Sequence, residues 1–359
     1  MGRIGVTTTI SQLNETTAAL LSALLPTVWD FERDPGFVQQ VFQWRYLNRA
    51  PGNLTLVAVD GDRCVGVIDS YSRPYLLDGR LVQLRETADW FCLPQYRPLG
   101  LGLKLLRMMM RLPEPLINIG GSKATRSILP RLGWKQVSAV PQMVLPASLR
   151  GLAGNLLRRP QHPEHTKYAR AIPRFLPLRR PRRVAPPAAD AQVEEWLPGR
   201  DLDIPVPQQD GLVQVVDRAN LEWMCSAPPS LYRAIVLLFR VGDEPVGLSL
   251  SQLEPSASGP DGRIVHVQTS SSSQAVAEWV VSETARRLAA SGAGFIRCRA
   301  STPSMHAALR RVGFIAVGSE PVFWWAQGRT PPENGIAVSY LRGDDAVPLG
   351  AARTLKLRL

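Results

Sequence analysis

Cysteine and histidine are both scarce in this sequence. The four cysteines are far apart and show no C-x-x-C spacing, and there are only four histidines. A disulfide framework and a zinc knuckle both require closely spaced or paired cysteines, so this pattern argues against both classes. We therefore predict a protein of a reducing compartment that has no metal centre.

Long hydrophobic runs are also lacking. The longest apolar patch, residues 18–25, is too short to span a bilayer, and the first residues lack the apolar core of a secretory signal. The hydrophobic content of 45% and the charged content of 20% are typical of a globular protein. These features predict a cytoplasmic protein, or one that is peripheral to the inner face of the membrane.

Acidic residues are outnumbered, with 30 Asp and Glu against 42 Lys and Arg. The excess is concentrated in residues 150–183, where ten basic residues stand against one acid, Glu164, among several prolines. Such a segment is typical of a linker or an extended arm. It is either a solvated linker or a contact for an anionic membrane surface or an acidic glycan. Nucleic acid is disfavoured because no aromatic side chains alternate with the arginines.

The most informative stretch lies between residues 88 and 110. An apolar run over residues 88–93 predicts a strand, and residues 103–110 have the pattern of a helix. Between them stand Arg97, Gly100 and Gly102. Glycine lets the backbone approach a ligand closely, and the first N–H groups of a helix have no intrahelical partner. Together with the arginine charge, these features predict a pyrophosphate-binding site.

The elements that follow strengthen this prediction. Residues 115–119 read as a second strand, a short helix begins near Ser122 and ends at Gly133, and residues 135–145 complete the unit as a strand. This order and these residues resemble the GNAT superfamily of acyl-CoA-dependent N-acyltransferases over residues 30–145. The resemblance implies a mixed, mostly antiparallel sheet flanked by helices, with acetyl-CoA as co-substrate.

The resemblance also implies individual binding residues. Arg97, Gly100 and Gly102 match the pyrophosphate loop of the family, although Pro98 stands where the family has a glycine and removes one N–H donor. An early Phe-x-Trp-x-Tyr element, which contains Trp44, is similar to GNAT proteins of bacterial exopolysaccharide clusters. The implied cofactor-binding residues are Phe91, Cys92, Leu93, Arg97, Leu99, Gly100, Leu101, Gly102 and Leu103.

The chain also repeats its own plan. The repeat is anchored by three pairs with similar local sequence: Trp44 and Trp223 (179 positions apart), Gly66 and Gly247 (181), and Gly133 and Gly313 (180). A period of this length indicates duplicated domains rather than a solenoid. We therefore predict an α/β protein with two tandem GNAT-like domains.

The two halves differ where the pyrophosphate loop is expected. In the second half, residues 265–274 are rich in serine and contain neither arginine nor glycine, so we predict a degenerate domain there. The predicted boundaries are residues 1–150 for the catalytic acyl-CoA-binding domain, 151–190 for the linker and 191–359 for the degenerate domain. A C-terminal strand is predicted over residues 336–341.

Acyl transfer from a thioester to an amine needs a base and N–H donors for the oxyanion. The family resemblance implies that the donors are backbone N–H groups near residues 91–93, with pantetheine alongside. Glu86 and Asp89 are the nearest acids. Strict strand alternation predicts that they lie on opposite faces, with Glu86 on the face of Trp90 and Cys92.

Glu86 is the preferred candidate for the general base. Asp89 is the second candidate, and its alternative role is to pair with Arg97 or to cap the turn. An acyl-enzyme on Cys92 is disfavoured, since a strand cysteine is usually a small buried side chain.

The proton for the leaving thiolate is a separate question. Many members of the family have a tyrosine for this purpose at the position of Leu129. Ser127, Tyr96 or water then supplies the proton, or CoA leaves as the thiolate, which is tolerable for a thiol with a pKa of about 8.5.

Together these features predict an acyl-CoA-dependent N-acyltransferase that transfers an acetyl group to an amine of a small molecule or sugar. Two alternatives stay open at this point. One is a non-catalytic acyl-CoA-binding or scaffold protein of a membrane-associated or polysaccharide-biosynthesis complex. The other is transfer of an aminoacyl or peptidyl group from a different activated donor.

Overall fold

The computed structural model describes residues 8–29, 35–149, 151, 178–208, 211–256, 259–332 and 335–339. Most of the basic arm and residues 340–359 lie outside these ranges, so arm contacts with a membrane or glycan stay predictions. Of the C-terminal strand predicted over residues 336–341, the described residues form a strand only at Ile336–Ala337, and residues 340 and 341 lie outside the described ranges. Within the described ranges, no helix combines the length and apolar character needed to cross a bilayer.

The described part of the first half begins with a short strand and two helices, which are followed by three strands and then by helices and strands in alternation. Its elements are β1 (Thr9–Gln12), α1 (Glu15–Trp29), α2 (Pro35–Phe42), a π-helical turn (Gln43–Leu47), β2 (Leu54–Asp60), β3 (Arg63–Leu77), β4 (Arg80–Cys92), a 3-10 turn (Pro94–Tyr96), α3 (Leu101–Met109), β5 (Leu116–Ile119), α4 (Lys123–Arg131) and β6 (Lys135–Pro146).

The second half repeats much of this order. Its elements are β7 (Ala191–Trp196), β8 (Leu212–Gln214), α5 (Arg218–Cys225), β9 (Arg233–Val241), β10 (Glu244–Glu254), β11 (Asp261–Thr269), α6 (Gln274–Ala290), β12 (Phe295–Arg299), α7 (Pro303–Val312), β13 (Ile315–Trp325) and β14 (Ile336–Ala337). The equivalent glycines Gly133 and Gly313, which follow α4 and α7, both have positive φ, 86° and 119°. These values suit the glycine turn that closes a helix.

The described strands form one 14-stranded sheet with the order β1-β2-β3-β4-β5-β13-β6-β12-β11-β10-β9-β7, and β8 and β14 branch from β3. Most pairs are antiparallel, so the predicted mixed α/β class and mostly antiparallel sheet are confirmed. The last strands of the two halves are exchanged. β6 pairs with β12 of the second half, and β13 pairs with β5 of the first.

This exchange follows the 180-residue repeat. Leu116 lies opposite Trp325 in the β5–β13 pair. Their counterparts, 180 positions later and earlier, are Ile296 and Leu145, which lie opposite each other in the β12–β6 pair. The two halves are therefore related by a pseudo-two-fold axis that passes between β6 and β13.

Two tryptophans that are equivalent in the repeat contact each other in a reciprocal way. Trp44 and Trp223 stack with ring centroids 4.5 Å apart and planes 8° from parallel. Each indole N–H donates to the other residue's carbonyl oxygen, at 3.1 Å from Trp44 and 3.4 Å from Trp223. Both side chains belong to one hydrophobic core built from both halves of the chain. The repeated residues thus contact each other and join the halves.

The sheet opens between β4 and β5. These parallel strands pair only at Arg85 with Leu116 and at Glu86 with Ile117. Further along β4 the ladder with β3 shifts register, since Asp69 faces Ala88 while Val67 faces Phe91. A β-bulge of this kind bends a strand and increases its local twist. It lies at the position where β4 leaves β5.

Candidate active site

The turn after β4 brings an arginine and a helix start together. Gly100 is the N-cap of α3 and has φ +71°, a left-handed conformation that favours glycine. Nε of Arg97 donates to the carbonyl oxygen of Cys92 at 3.1 Å, which holds the base of this exposed side chain against the end of β4. The first helical bond runs from Lys104 N to Gly100 O, at 3.0 Å.

The N–H groups of Leu101, Gly102 and Leu103 therefore precede the hydrogen-bond ladder of α3. Such groups at a helix start, beside an exposed arginine, form a ready anion-binding arrangement. Leu101 is buried and anchors the turn, whereas Leu99 is 55% exposed. Leu99 is thus placed on the surface of the turn.

Gly102 brings the start of α3 close to β4. The indole N–H of Trp90 donates to the Gly102 carbonyl at 2.9 Å. A Cβ at position 102 would lie 3.5 Å from Trp90 Nε1 and 3.7 Å from Cys92 Cβ, both ordinary contacts. An alanine would therefore also fit at this position, and Trp90 and Cys92 lie on the α3 face of the sheet.

The free edge of β4 continues from the opening to this turn. Beyond Thr87, whose hydroxyl bonds to the carbonyl oxygen of Ile117 at 3.4 Å, β4 has no partner on the β5 side in the described residues. Phe91 and Cys92 remain paired with β3 on their other side, and the Leu93 N–H donates to Val65 O at 3.0 Å. An exposed strand edge can pair with an extended amide-bearing chain.

Glu86 lies at the mouth of this opening and is 3% exposed. Its Oε1 accepts a hydrogen bond from the hydroxyl of Tyr75, at 2.6 Å, and another from the side-chain amide of Gln214, at 2.5 Å. Gln214 belongs to β8, which pairs with the end of β3. The second half of the chain therefore contributes directly to the position of this carboxyl group.

The partners of Asp89 differ from the predicted one. Its carboxylate accepts from the Tyr46 hydroxyl at 2.5 Å and forms an ion pair with Arg45 at 2.7 Å, rather than pairing with Arg97. Burial, followed by the Asp89 charge, raises the pKa of Tyr46 well above its usual value. Asp89 is thus held in a buried network with the π-helical turn.

The prediction that Glu86 and Asp89 lie on opposite faces is also wrong. Asp89 has φ +44° and belongs to the bulge, which inserts one extra residue into β4 opposite β3. The insertion reverses the alternation beyond Ala88. Glu86 and Asp89 therefore share one face, and Trp90 is on the other.

The side chains considered as a nucleophile or as a proton donor to the leaving thiolate make other interactions or are buried. Burial raises the pKa of the Cys92 thiol, which disfavours the thiolate that an acyl-enzyme would need. The Tyr96 hydroxyl donates to Asp60 at 2.6 Å, and the Ser127 hydroxyl donates to Ala124 O at 2.9 Å. Leu129 is 1% exposed and packs in the core.

The second half has a similar opening, between β11 and β12, and the chain fills it. The parallel pairing ends at Ile264 with Cys298, and Ser339 bridges to Ala300 beyond that point. The Ser339 hydroxyl contacts Nδ1 of His266 at 2.9 Å, and His266 Nε2 lies 3.1 Å from Gln268 Oε1. The remaining cavity is about 60 Å³.

His266 and Asp69 are expected to respond to acid with opposite signs. Burial lowers the pKa of His266 to about 4, so the unfolded chain takes up this proton first as the pH falls from 6.5, and stability is lost. Burial raises the pKa of Asp69 to about 6, so the folded chain takes up this proton first, and stability is gained as the pH falls through 6. Each contribution reaches about 3 kcal/mol.

Urea unfolding at several pH values between 7 and 4 checks this prediction. Relative to the wild type, His266→Gln should become more stable as the pH falls, and Asp69→Asn should become less stable. Parallel pH profiles for all three proteins would contradict the assigned ionisation states.

Several residues around the site were not predicted from the sequence. They are Arg45, Tyr75, Gln214 and Trp223, which come from distant parts of the chain. Among them, Trp223 carried a signal, because it is one anchor of the repeat, and Tyr46 was already visible as the tyrosine of the Phe-x-Trp-x-Tyr element. The repeat identified Trp44 as its counterpart but did not indicate that the two side chains touch.

Similarity to known proteins exists at the level of structure. No protein-family model and no curated protein matches the chain. An N-myristoyltransferase from Saccharomyces cerevisiae, solved with bound myristoyl-CoA, is similar with a TM-score of 0.58 and 12% identity, over 90% of this chain and 84% of that one.

Two N-acetyltransferases are similar as well. A GCN5-related N-acetyltransferase from Anabaena variabilis has a TM-score of 0.55 and 12% identity, over 88% of this chain and 72% of that one. A GCN5-related N-acetyltransferase from Kribbella flavida has a TM-score of 0.50 and 14% identity, over 88% and 71%. The chain therefore has the GNAT fold, as the resemblance implied.

Proposed function

We propose that the protein is an acyl-CoA-dependent N-acyltransferase that transfers an acetyl group from acetyl-CoA to an amine of a small molecule or sugar. The observation that carries the proposal is the continuity of three features. The Arg97 turn, the free edge of β4 and the buried Glu86 carboxyl follow one another along a single strand. They match the phosphate, amide and thioester parts of an acyl-CoA.

In this proposal the first half is the catalytic domain. Arg97 and the N–H groups of Leu101, Gly102 and Leu103 bind the pyrophosphate, and Leu99 contacts the cofactor at the surface. The backbone at Phe91, Cys92 and Leu93 borders the pantetheine chain. The second half supplies Gln214 to the site, and its own opening is filled by Ser339. We assign it as a degenerate domain without an acyl-CoA site.

Glu86 acts as the general base, directly or through a water molecule. It removes a proton from the amine as the nitrogen attacks the thioester carbonyl carbon, and a C–N bond forms. Backbone N–H groups of β4 stabilise the oxyanion of the tetrahedral intermediate. The C–S bond then breaks, and the electron pair leaves with sulfur.

CoA departs as the thiolate and takes its proton from solvent. Tyr96 and Ser127 donate their hydroxyl hydrogens to other groups, and Leu129 has no proton to give. Asp89, which is paired with Arg45, positions the bulge rather than acting as a base.

Arg97→Ala is expected to weaken acetyl-CoA binding by about 10- to 100-fold, because it removes a charge-assisted contact with the pyrophosphate. Isothermal titration calorimetry of the two proteins with acetyl-CoA measures this change. Arg107→Ala is the matched control, since Arg107 is an exposed arginine in the last turn of the same helix.

Equal affinities of the wild type and Arg97→Ala would remove Arg97 from the site. If the wild type does not bind acetyl-CoA, the transferase proposal fails. Release of CoA on addition of an amine would establish turnover and exclude a purely acyl-CoA-binding scaffold.

A further inference from the structure

Arg73 is a buried charge in the middle of β3. Its side chain is 0% exposed, and none of its three guanidinium nitrogens has a hydrogen-bond partner among the described residues. Arginine carries five N–H donors and stays charged in proteins. Burying such a group without acceptors is strongly unfavourable, so its presence requires a reason other than packing.

The other buried arginines of the described chain are balanced. Each has a carboxylate close by: Arg45 pairs with Asp89 at 2.7 Å, Arg263 with Glu254 at 2.7 Å, and Arg299 with Glu320 at 2.9 Å. Arg73 has two aromatic rings instead. Its Cζ lies 5.2 Å from the ring centroid of Tyr71 and 5.7 Å from that of Trp223. Cation–π contacts stabilise the charge but do not satisfy the N–H donors.

Arg73 also lies in a gap between two ladders of β3. The ladder with β2 ends at Ser70, and the ladder with β8 begins at Tyr75. Residues 71, 73 and 75 point to the same face of the strand. Because Tyr75 donates its hydroxyl to Glu86 at 2.6 Å, the guanidinium shares a face with the candidate base. Residues two apart on a strand are separated by about 7 Å.

We propose that Arg73 binds a carboxylate of the acyl acceptor, which makes the acceptor a small amino acid or a similar amine with a nearby carboxylate. A carboxylate is planar and accepts two parallel hydrogen bonds from the edge of a guanidinium. Arg73 then holds the acid group while Glu86 receives the proton of the amine. The amine part of this assignment rests on the proposed function, whereas the carboxylate part rests on Arg73 alone.

Thermal unfolding of the full-length protein tests the carboxylate site without acetyl-CoA. The probes are glycine, β-alanine and 4-aminobutyrate, each compared with its uncharged amide, and inorganic phosphate is a separate probe. At least one acid should raise the unfolding temperature of the wild type more than its amide does. No response to any acid, or equal responses to acids and amides, would overturn the proposal. A response to phosphate alone would reassign the ligand as a phosphate.

Three variants assign the response to Arg73. Arg73→Met should abolish it, and Arg73→Lys, which keeps the charge but loses the planar fork, should retain part of it. Arg85→Met is the control, since Arg85 is a neighbouring arginine paired with Glu114 at 2.8 Å. Arg73→Met should also unfold at a higher temperature than the ligand-free wild type, because the buried charge is removed. An Arg73→Met protein that still responds to the acids would overturn the proposal.

A transfer assay separates this proposal from the proposed function. With acetyl-CoA as donor, Arg73→Met should lower kcat/KM for the preferred acid by about 10- to 100-fold and leave kcat/KM for its amide unchanged. Transfer without any preference for acids would overturn the Arg73 assignment and leave the transferase proposal standing. If the protein responds to carboxylates but does not bind acetyl-CoA, the Arg73 assignment stands and the transferase proposal is overturned.

Discussion

Glu86→Gln is expected to lower kcat by about 10²- to 10⁴-fold, which is the usual contribution of a positioned general base. The amide has nearly the same shape as the carboxyl group, but it cannot take the proton of the attacking amine. Tyr75 and Gln214 can still donate to its oxygen, so the fold should be retained. Affinity for acetyl-CoA should be retained, because the substitution keeps the shape of the side chain and leaves the Arg97 turn unchanged.

The measurement is the steady-state release of CoA as a function of pH, together with acetyl-CoA titration calorimetry. Glu114→Gln is the matched control, since Glu114 makes an ion pair with Arg85 outside the site and is partly exposed. The basic group seen in the pH profile of the wild type should disappear in Glu86→Gln. Full activity of Glu86→Gln would show that the base is elsewhere on this face or is water.

Trp223→Ala is expected to destabilise the protein by about 3–5 kcal/mol, the usual cost of truncating a large buried aromatic side chain. This substitution removes the stack with Trp44 and leaves the Trp44 carbonyl oxygen without its indole donor. Both rings lie in the core that the two halves share. Such a loss is a large part of the total stability of an ordinary protein.

A double-mutant cycle separates the stack from general core damage. Trp44→Ala and Trp223→Ala should not be additive in the free energy of unfolding, because the second truncation removes contacts already lost. Trp279 provides the control, since it is similarly buried but packs on Phe239 in a different core. Trp44→Ala and Trp279→Ala should add. Additivity of the Trp44 and Trp223 losses would show that the stack contributes little.

The Arg97 turn could be predicted from the sequence because its features are local. A strand, two glycines and a helix start occupy consecutive positions, and backbone conformation at such positions depends mostly on neighbouring residues. Gly100 has the positive φ that a glycine in this turn allows. The internal repeat was also readable, since it needs only the spacing of similar residues.

The arrangement around Glu86 could not be predicted in the same way. The bulge at Asp89 changes which side chains share a face, and a bulge depends on pairing with β3 rather than on the sequence of β4. The partners of the two acids come from positions 43 and 128 residues away, Tyr46 and Gln214. Strand alternation was therefore a correct rule up to Ala88 and failed one residue later.

By itself, the sequence determined the α/β class, the GNAT-like order of strands and helices, the 180-residue repeat and the glycine turn before α3. These depend on hydrophobic periodicity, glycine placement and spacing, all of which are properties of neighbouring residues. Only the tertiary structure decided that β6 and β13 are exchanged between the halves and that Trp44 stacks on Trp223. It also decided that Arg73 is buried on the same face of the sheet as Glu86, because burial and side-chain contact arise from the packing of segments far apart in the chain.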